Sequence, residues 1–340
     1  MVNILELTDP AELTFLARQV PEPIENSLAA VLPDREIDGI RSKSVRSSRK
    51  TTTAKYRSYN AEAPIGQRGG SIEVTEVKLP PISEKLPIDE NLIFELSENA
   101  SDPAIARARA EFYDDAENLT LSIRNRAEKA RGEFLTTGKI TLAENGVVDE
   151  ADFGLAADHK VAPAALWSAT NATPLSDEIV WMQKVTTDSG KRPTRATTSL
   201  RIALLLTKNA EYRNTYWQRG TDSPMLSLDQ VNAVRASNGL APLNVYDGLV
   251  PDDSGASVRV IADDLFILTT DSVGESQWGI TAESLELVSS NAVDFDRKDA
   301  PGITVVQYRV PDPVTVWTKA SATFLPVAGD IAGLLVADVA

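Results

Sequence analysis

The chain has no cysteine and a single histidine, His159, among its 340 residues. Without thiols it can form no disulfide, no iron–sulfur cluster and no cysteine nucleophile, which fits a reducing compartment or a particle that does not depend on redox state. A Ser–His–Asp triad or a multi-histidine metal site would have only one possible centre. Because His159 stands in the polar run Asp158-His159-Lys160, we predict that it lies on the surface.

Long apolar runs and phosphate-binding loops are also missing. No stretch approaches eighteen apolar residues and the first ten residues form no basic leader, so we expect neither a membrane span nor secretion. The segment Gly190-Lys191-Arg192 lacks the upstream glycine of a Walker-type loop. The acid pairs Asp114-Asp115, Asp252-Asp253 and Asp263-Asp264 are sequence neighbours that point to different faces, which indicates solvated surface. The sequence predicts no enzyme activity and no cofactor or metal.

Positive charge is scarce except in one segment. The chain has 49 acidic and 34 basic residues, a net charge of −15, yet residues 41–70 hold eight basic residues against one acidic. The basic residues are Arg41, Lys43, Arg46, Arg49, Lys50, Lys55, Arg57 and Arg68. Eight minus one is +7, which leaves −22 on the rest. Such an arm can bind nucleic acid or the acidic body of another copy, and because only Tyr56 and Tyr59 offer base stacking, we favour self-association.

An apolar stripe with helical spacing predicts one long helix at residues 103–135. The stripe consists of Ile105, Phe112, Ala116, Leu119, Ile123, Ala127, Ala130 and Phe134. Ser101 and Asp102 can cap its start, Pro103 fits the first turn, and Gly138 can cap its end. The small side chains of the stripe indicate a helix that lies across a sheet. The alternative, one helix of a coiled coil, is less favoured. The opposite face is predicted to be wet, and its charged residues include Glu111, Asp114, Asp115, Glu117, Glu128 and Arg131.

The segment before this helix is predicted to be an arm followed by a ribbon. Residues 1–40 read as an arm that contains a short helix capped by Asp9. Residues 51–59 and 71–79 alternate with a period of two and predict two paired strands around a turn-rich tip at residues 63–70. Because an isolated hairpin is marginally stable, we expect the ribbon to lie on a neighbouring subunit.

The segment after the helix is predicted to be strand-rich at both ends and mixed between them. A hairpin is expected around Asn145-Gly146. Residues 166–309 read as an α/β module, with helices from Pro174 and at 208–217 and 228–237. Strands are predicted at 200–206, 245–246, 258–261 and 265–269. Because residues 310–340 are again strand-rich, we expect the C-terminus to return to the sheet of the long helix. The predicted fold class is α+β with a discontinuous domain.

Several short motifs occur in a recognisable order. They are Arg68-Gly69-Gly70, Lys78-Leu79-Pro80-Pro81, Leu135-Thr136-Thr137-Gly138-Lys139, Asp152-Phe153-Gly154, Ile202-Ala203-Leu204-Leu205-Leu206, Asp263-Asp264-Leu265-Phe266-Ile267-Leu268 and Leu334-Leu335-Val336-Ala337-Asp338-Val339-Ala340. With the arm, ribbon and long charged helix, this order resembles the lambda-type major capsid proteins of tailed bacteriophages, the phage major capsid protein E family. The resemblance extends over nearly the whole chain.

The resemblance implies a Hong Kong 97-type capsid fold. Residues 1–40 would be the N-terminal arm, 41–85 the extended loop, 86–165 with 310–340 the peripheral domain around the spine helix, and 166–309 the axial domain. The implied function is self-assembly, through hexamers and pentamers, into the icosahedral shell of a tailed double-stranded DNA phage or prophage. Assembly would occur in the host cytoplasm with scaffold, portal and decoration proteins as partners, and the enclosed DNA would not be bound sequence-specifically.

In the family the extended loop lies over the spine helix of the neighbouring subunit. This implies intersubunit contacts between the eight basic residues of the ribbon and acidic residues such as Asp114, Asp115 and Glu117. Some family members form a Lys–Asn cross-link, for which Lys43, Lys50 or Lys55 and Asn291 are candidates, although the lambda branch is not known for it. Two alternatives stay open, namely the shell protein of an encapsulin-like nanocompartment and a nucleic-acid-binding module that uses residues 41–70.

Overall fold

The computed structural model describes most of the chain. The described residues are 8–22, 27–47, 54, 56–57, 59, 62, 72–88, 94, 102–144, 147–218, 223–252, 254–290, 295–311 and 314–340. Their helices are α1 (Pro10–Gln19), α2 (Asp102–Thr137), α3 (Pro174–Ser189), α4 (Leu200–Lys208), α5 (Ala210–Trp217), α6 (Leu228–Ser237) and α7 (Ala282–Ser289). Their strands are β1 (Asp34–Glu36), β2 (Arg41–Ser47), β3 (Ile72–Lys78), β4 (Pro81–Pro87), β5 (Lys139–Glu144), β6 (Val147–Asp152), β7 (Lys160–Val161), β8 (Arg195–Thr198), β9 (Leu243–Val245), β10 (Leu249–Pro251), β11 (Ser257–Arg259), β12 (Leu265–Thr269), β13 (Gly274–Gly279), β14 (Thr304–Pro311), β15 (Val314–Ala328) and β16 (Leu334–Asp338).

The predicted long helix is confirmed as α2. It has 36 residues, which corresponds to a length of about 54 Å. Gly138 ends it in the left-handed region with a φ of 71°, a conformation that costs glycine little because it has no Cβ. The apolar stripe is buried from Phe112 to Phe134, whereas near the start Ala104 and Ala108 are buried and Ile105 only partly.

Helix α2 lies across a sheet, as its small side chains predict. The strand order of this first sheet is β1-β13-β15-β14, and β4 also pairs with β15. Side chains of α2 such as Ala116 and Ile123 share a buried core with Trp278 of β13 and Phe324 of β15. The helix therefore packs closely against the sheet. Such close packing requires small residues along the apolar stripe of the helix.

The predicted N-terminal helix is confirmed as α1, and it closes the edge of the first sheet. The Asp9 carboxylate caps it by accepting from the N–H of Ala11 at 2.9 Å. The Thr14 hydroxyl donates to the carbonyl of Val305 and accepts from the N–H of Val305, both at 3.1 Å. One threonine thus satisfies both outward backbone groups of an edge-strand residue and protects this edge from further pairing.

The predicted ribbon exists, but its first strand is placed wrongly. Strand β3 agrees with the prediction at residues 71–79, while its partner is β2 and not residues 51–59. Of that predicted strand, the described residues Ala54, Tyr56, Arg57 and Tyr59 lie outside any strand. The tip at residues 63–70 lies outside the described residues. Period-two alternation could not distinguish the two candidates, because both lack the apolar face that fixes strand register.

A second sheet has the order β7-β16-β12-β8-β9 and packs against helices α3 to α6. Trp167 and Trp181 stack with ring centroids 5.7 Å apart, and both contact Phe266 of β12. The predicted helices at 208–217 and 228–237 are confirmed as α5 and α6, and the one predicted to start at Pro174 as α3. The strand predicted at 265–269 is confirmed, and residues 245 and 258–259 also lie in strands.

The prediction of a buried strand at residues 200–206 is wrong, because these residues form helix α4. Ser199 caps the helix by accepting from the N–H of Ile202 at 3.3 Å. Ile202 and Leu206 face the core, whereas Leu200 and Leu204 are each 44% exposed. The run is apolar on nearly all sides, so periodicity alone could not separate a buried strand from a short helix.

The C-terminal segment is shared between the two sheets. Strand β15 pairs with β14, β13 and β4 in the sheet below α2, as expected. Strand β16 does not return there, since it pairs with β12 and β7 in the second sheet. Conversely, β13 and most of β14 lie within residues 166–309 in sequence, but both strands pair with β15. The hairpin predicted near residue 145 is confirmed by the pairing of β5 with β6, although Asn145-Gly146 itself lies outside the described residues.

Candidate intersubunit surface

The ribbon is closed at its base by a backbone hydrogen bond. The N–H of Leu79 donates to the carbonyl of Ile40 at 2.9 Å, next to the first pair of β2 with β3, in which Arg41 faces Lys78. Arg41 is exposed, and its guanidinium lies 3.3 Å from the carboxylate of Glu76. Because Ile40 and Leu79 are in contact, a short linker between them could take the place of the ribbon without moving either residue.

Positive and negative residues face each other along the two strands of the ribbon. The register places Lys43 opposite Glu76 and Arg46 opposite Glu73. Facing opposite charges stabilise a strand pair by roughly 0.2–1 kcal/mol. The paired strands, here called the stem (residues 41–47 and 72–78), hold four basic residues against two acidic, a net charge of +2. Residues 49–68, here called the tip segment, hold five basic residues against one acidic, a net charge of +4. The tip segment thus carries most of the excess positive charge of the ribbon.

Only some of the predicted basic contact residues are among the residues that the structure describes. Arg41 and Arg57 are exposed, and Lys43 and Arg46 belong to β2. Tyr56 and Tyr59, in the tip segment, are fully exposed. The other predicted basic contacts, Arg49, Lys50, Lys55 and Arg68, lie outside the described residues.

The predicted acidic contact residues cluster on one stretch of α2. Asp114 and Glu117 are exposed, and Asp115 is half-buried. Burial, followed by the carboxylates of Glu111 and Asp114, raises the pKa of Asp115 to about 6. Burial is the larger cause, and the two carboxylates add negative charge beside Asp115. A cation from outside the chain would relieve that repulsion.

The charged face of α2 was predicted to be exposed to solvent, which is wrong for Arg131, because this residue has no exposed surface. Its guanidinium donates to Glu128 at 2.9 Å, to Asp34 at 2.6 Å and to the Ser276 hydroxyl at 3.0 Å. Burial alone would lower the pKa of Arg131, but Asp34 and Glu128 outweigh it and raise the pKa. The arginine therefore stays charged inside the protein and connects α2 to β1 and β13.

Glu128, also predicted to be exposed to solvent, is equally buried. Its carboxylate accepts hydrogen bonds from three donors besides Arg131. These are the Ser27 hydroxyl at 2.8 Å, the N–H of Leu28 at 2.7 Å and the Tyr246 hydroxyl at 2.9 Å. Burial and then the Glu128 charge raise the pKa of Tyr246, so its hydroxyl remains a donor. Sequence reasoning missed this network because helical spacing places both residues beside the stripe, and only the packing of the arm and of residue 246 covers them.

A second buried ion pair joins Glu178 of α3 to Arg235 of α6, and neither side chain has exposed surface. The Tyr212 hydroxyl of α5 donates to Glu178 at 2.7 Å, and Arg235 donates to the Ala241 carbonyl at 2.8 Å. Burial raises the pKa of Glu178 despite the attraction of Arg235. Because both charges are enclosed, this pair holds three helices together and offers no group to a substrate.

The prediction that His159 lies on the surface, made from its polar neighbours, is wrong, because the residue is only 2% exposed. It ends a short 3₁₀ turn (Ala157–His159) and is covered by α3 and β16. Asp158 and Lys160 are exposed on either side of it. Alternating burial of this kind depends on neighbours that are far away in the sequence.

The described residues contain no group of three or more metal-ligating side chains. Asp252 accepts the N–H groups of Ser254 and Ala256 at 2.9 Å in a tight turn, and Asp253 lies outside the described residues. Gly190 caps the end of α3 with a φ of 72°. The cross-link candidates Lys50, Lys55 and Asn291 also lie outside the described residues.

No helix among the described residues combines the length and apolar character needed to cross a bilayer.

Comparisons with known proteins agree with this architecture. The model of the family described as phage major capsid protein E matches residues 12–339. A crystal structure of a protein assigned as a prophage capsid protein of E. coli CFT073 superimposes with a TM-score of 0.66 and 15% identity, covering 98% of this chain and 99% of that one. A phage-related protein of Bordetella bronchiseptica RB50 gives a TM-score of 0.55 and 12% identity, with 97% of both chains covered. No curated protein matches the sequence.

Proposed function

Because the chain belongs to the phage major capsid protein E family and is a structural protein of a capsid shell, we propose that its ribbon clamps neighbouring subunits together through charge. The basic tip segment of one copy binds the acidic stretch of α2, around Asp114, Asp115 and Glu117, on the next copy. Each exposed pair contributes only about 0–1 kcal/mol. Repetition around a closed shell makes the sum large.

One observation carries this proposal: opposite charges are concentrated on separate parts of the same chain. In the stem the register places two of the four basic residues opposite acidic ones, Lys43 opposite Glu76 and Arg46 opposite Glu73, whereas the sequence of the tip segment has five basic residues against one acidic. On α2, burial and then the carboxylates of Glu111 and Asp114 raise the pKa of Asp115 to about 6. Two surfaces that each carry an unbalanced charge of opposite sign are complementary between copies.

The proposed organisation of the shell subunit has four parts. Residues 1–40 form the arm, 41–85 the extended loop, 86–165 with 310–340 the peripheral domain, and 166–309 the axial domain. Sheet membership refines these limits, because β13 and β14 pair with β15 near the spine helix and β16 pairs within the second sheet. The subunits form hexamers and pentamers of an icosahedral shell.

The shell encloses double-stranded DNA of a tailed phage or prophage without reading its sequence. An overall charge of −15 supports this role, since a mostly acidic surface repels phosphate and leaves packaged DNA free to move. Assembly takes place in the host cytoplasm with scaffold, portal and decoration proteins. The subunit itself performs no catalysis.

Replacing the ribbon tests the clamp. A short Gly-Ser linker in place of residues 41–78 can join Ile40 to Leu79, which are already hydrogen-bonded at 2.9 Å. Negative-stain microscopy and sedimentation then compare the two proteins. We expect closed shells or capsomers from the native chain and monomers from the linker variant. Closed shells from the linker variant would contradict the clamp while leaving the shell function intact.

A charge-matched pair of variants separates the tip segment from the stem. The tip variant replaces Arg49, Lys50 and Lys55 with glutamine, and the stem variant replaces Arg41, Lys43 and Arg46. Both lose three positive charges, but we expect only the tip variant to lose assembly at moderate salt. Equal loss in both would show that net charge matters and location does not. Salt-dependent DNA binding by an unassembled native chain would instead favour the nucleic-acid alternative.

A further inference from the structure

Prolines restrict further pairing at the open edge of β4 in the first sheet. In an antiparallel pair every second residue points its backbone N–H and C=O away from the partner strand. The N–H of Ile88 donates to the carbonyl of Val316 at 2.9 Å, so the even-numbered residues of β4 bond to β15 and the odd-numbered ones point outward. The first and last outward residues are Pro81 and Pro87, which have no N–H. Half of the outward positions on β4 therefore offer no donor to another strand.

Side chains of the same subunit occupy outward N–H groups on four other strands, namely β5, β6, β9 and β14. In each case a side-chain oxygen accepts the hydrogen bond that a neighbouring strand would otherwise accept, at 2.7–3.1 Å. The outward N–H groups and the residues that accept from them are Thr141 with Glu133, Glu150 with Asp149, Leu243 with Asn232, and Val305 with Thr14. Devices of this kind prevent edge-to-edge pairing with other chains.

The stem has no such protection in the described part of the chain. The bond from the N–H of Leu79 to the carbonyl of Ile40 sets the alternation between β2 and β3. The residues with outward backbone groups are Arg41, Lys43, Val45 and Ser47 on β2, and Ile72, Val74, Glu76 and Lys78 on β3. The stem contains no proline, and no described group outside it accepts a hydrogen bond from these N–H groups. Each edge of the stem therefore offers a row of donors about 23 Å long, to which another strand can add.

The charges of the two strands decide which edges fit each other. Strand β2 has three basic residues and no acidic one, whereas β3 has two acidic residues and one basic one. Two β2 edges side by side would bring like charges together, which destabilises a strand pair, while β2 beside β3 brings opposite charges together. Because β2 and β3 are antiparallel in each copy, a neighbour in the same orientation presents its β3 antiparallel to β2. The edge of β2 therefore fits the edge of β3 on another copy.

We propose that the stem joins subunits by strand addition, in which the outer edge of β2 in one copy pairs with the outer edge of β3 in the next. The partner is a second copy of this chain, and the contact is head-to-tail, a type that can close into a ring. Backbone hydrogen bonds hold the two stems together, and the facing charges select the edges. The pairing rests on the proposed role of the ribbon as a clamp, but it does not depend on the charge of the tip segment.

Because the chain has no cysteine, disulfide formation can locate this pairing. Subunits carrying Val45→Cys are assembled in equal mixture with subunits carrying Ile72→Cys, Val74→Cys or Glu76→Cys, three successive outward positions that allow for different registers between copies. A disulfide forms only between residues on directly adjacent strands. After mild oxidation we expect disulfide-linked dimers from one of the mixtures and several-fold fewer from assemblies of either variant alone. Dimers mainly from Val45→Cys alone, or none from any mixture, would overturn the pairing.

Proline variants measure how much the pairing supports assembly. Val45→Pro and Val74→Pro each remove an outward N–H that the stem itself does not use, and they leave every charge in place. We expect a several-fold lower yield of sedimenting assemblies, whereas the controls Val45→Thr and Val74→Thr, which keep the N–H, should assemble like the native chain. Undiminished assembly of both proline variants would overturn the pairing and leave the charge clamp, which the glutamine variants of the tip segment test separately. The cysteine mixtures decide the matter if proline unfolds the stem.

Discussion

Glu128 and Arg131 stand one turn apart on the long helix and form a 2.9 Å ion pair with both side chains removed from solvent. Their remaining hydrogen bonds go to the arm, to β1, to β13 and to Tyr246. Desolvation makes such a pair costly unless every polar atom finds a partner. The long helix is thus attached through a polar network as well as through its apolar stripe.

Removing Arg131 should strongly destabilise the fold. In Arg131→Met the carboxylates of Glu128 and Asp34 lose their buried cation, and breaking a buried pair from one side costs about 3–5 kcal/mol. Urea denaturation of the unassembled chain measures the free energy of unfolding. The control is Arg35→Met, whose 2.9 Å partner Glu275 lies in a largely exposed pair and which should cost no more than about 1 kcal/mol. Similar losses in both variants would contradict a special role for the buried pair.

Tyr246 should contribute through its hydroxyl group alone. Tyr246→Phe keeps the ring but takes one donor from the buried Glu128 carboxylate, which should lower the free energy of unfolding by about 1–3 kcal/mol. Tyr113→Phe is a matched control, because the Tyr113 hydroxyl donates to Glu12 at 3.0 Å in an exposed pair, and a change within about 0.5 kcal/mol is expected. The two variants are compared by urea denaturation. An unchanged stability of Tyr246→Phe would show that Glu128 needs no fourth donor.

Gly132 of α2 should not tolerate a methyl group. Alanine is the better helix former by about 1 kcal/mol, but a Cβ here would lie 2.3 Å from Cγ1 of Val260 and 2.7 Å from its carbonyl oxygen. Since backbone must move, Gly132→Ala should destabilise the chain by about 1–3 kcal/mol. In Gly39→Ala the new atom would meet nothing within 4 Å, so thermal denaturation should show little change. A stabilised Gly132→Ala would mean that the helix and residue 260 separate easily.

Asp115 should make stability fall as the pH rises from about 4 to about 6. Burial and the neighbouring carboxylates raise its pKa to about 6 in the folded chain, against about 4 when unfolded. The folded state therefore binds the proton more tightly, and ionisation in this window favours unfolding. Asp115→Asn should flatten this part of the stability curve, measured by urea denaturation at several pH values. Glu117→Gln, at an exposed position, should leave the slope unchanged.

Much of the fold could be predicted from local sequence, because its signals are local too. The long helix carries its own stripe and its own glycine cap, and α1 carries Asp9. The first strand of the ribbon was placed wrongly, because neither candidate strand shows an apolar face. The run at 200–206 was assigned as a strand because it is apolar at nearly every position, although it forms a helix. At the candidate surface, the acidic stretch of α2 could be located from sequence, whereas the balance of charge within the stem needed the register of β2 with β3.

The long helix, the absence of thiol chemistry, the separation of basic ribbon from acidic body and the order of segments typical of the family can all be read from local sequence. The burial of Glu128, Arg131 and His159 and the pairing of β16 in the second sheet are visible only in the folded chain. The two groups of properties depend on interactions over different distances along the chain. Helix periodicity and charge are properties of neighbouring residues, whereas burial of a polar side chain depends on elements about a hundred or more residues away, such as Ser27 for Glu128 and Leu334 for His159.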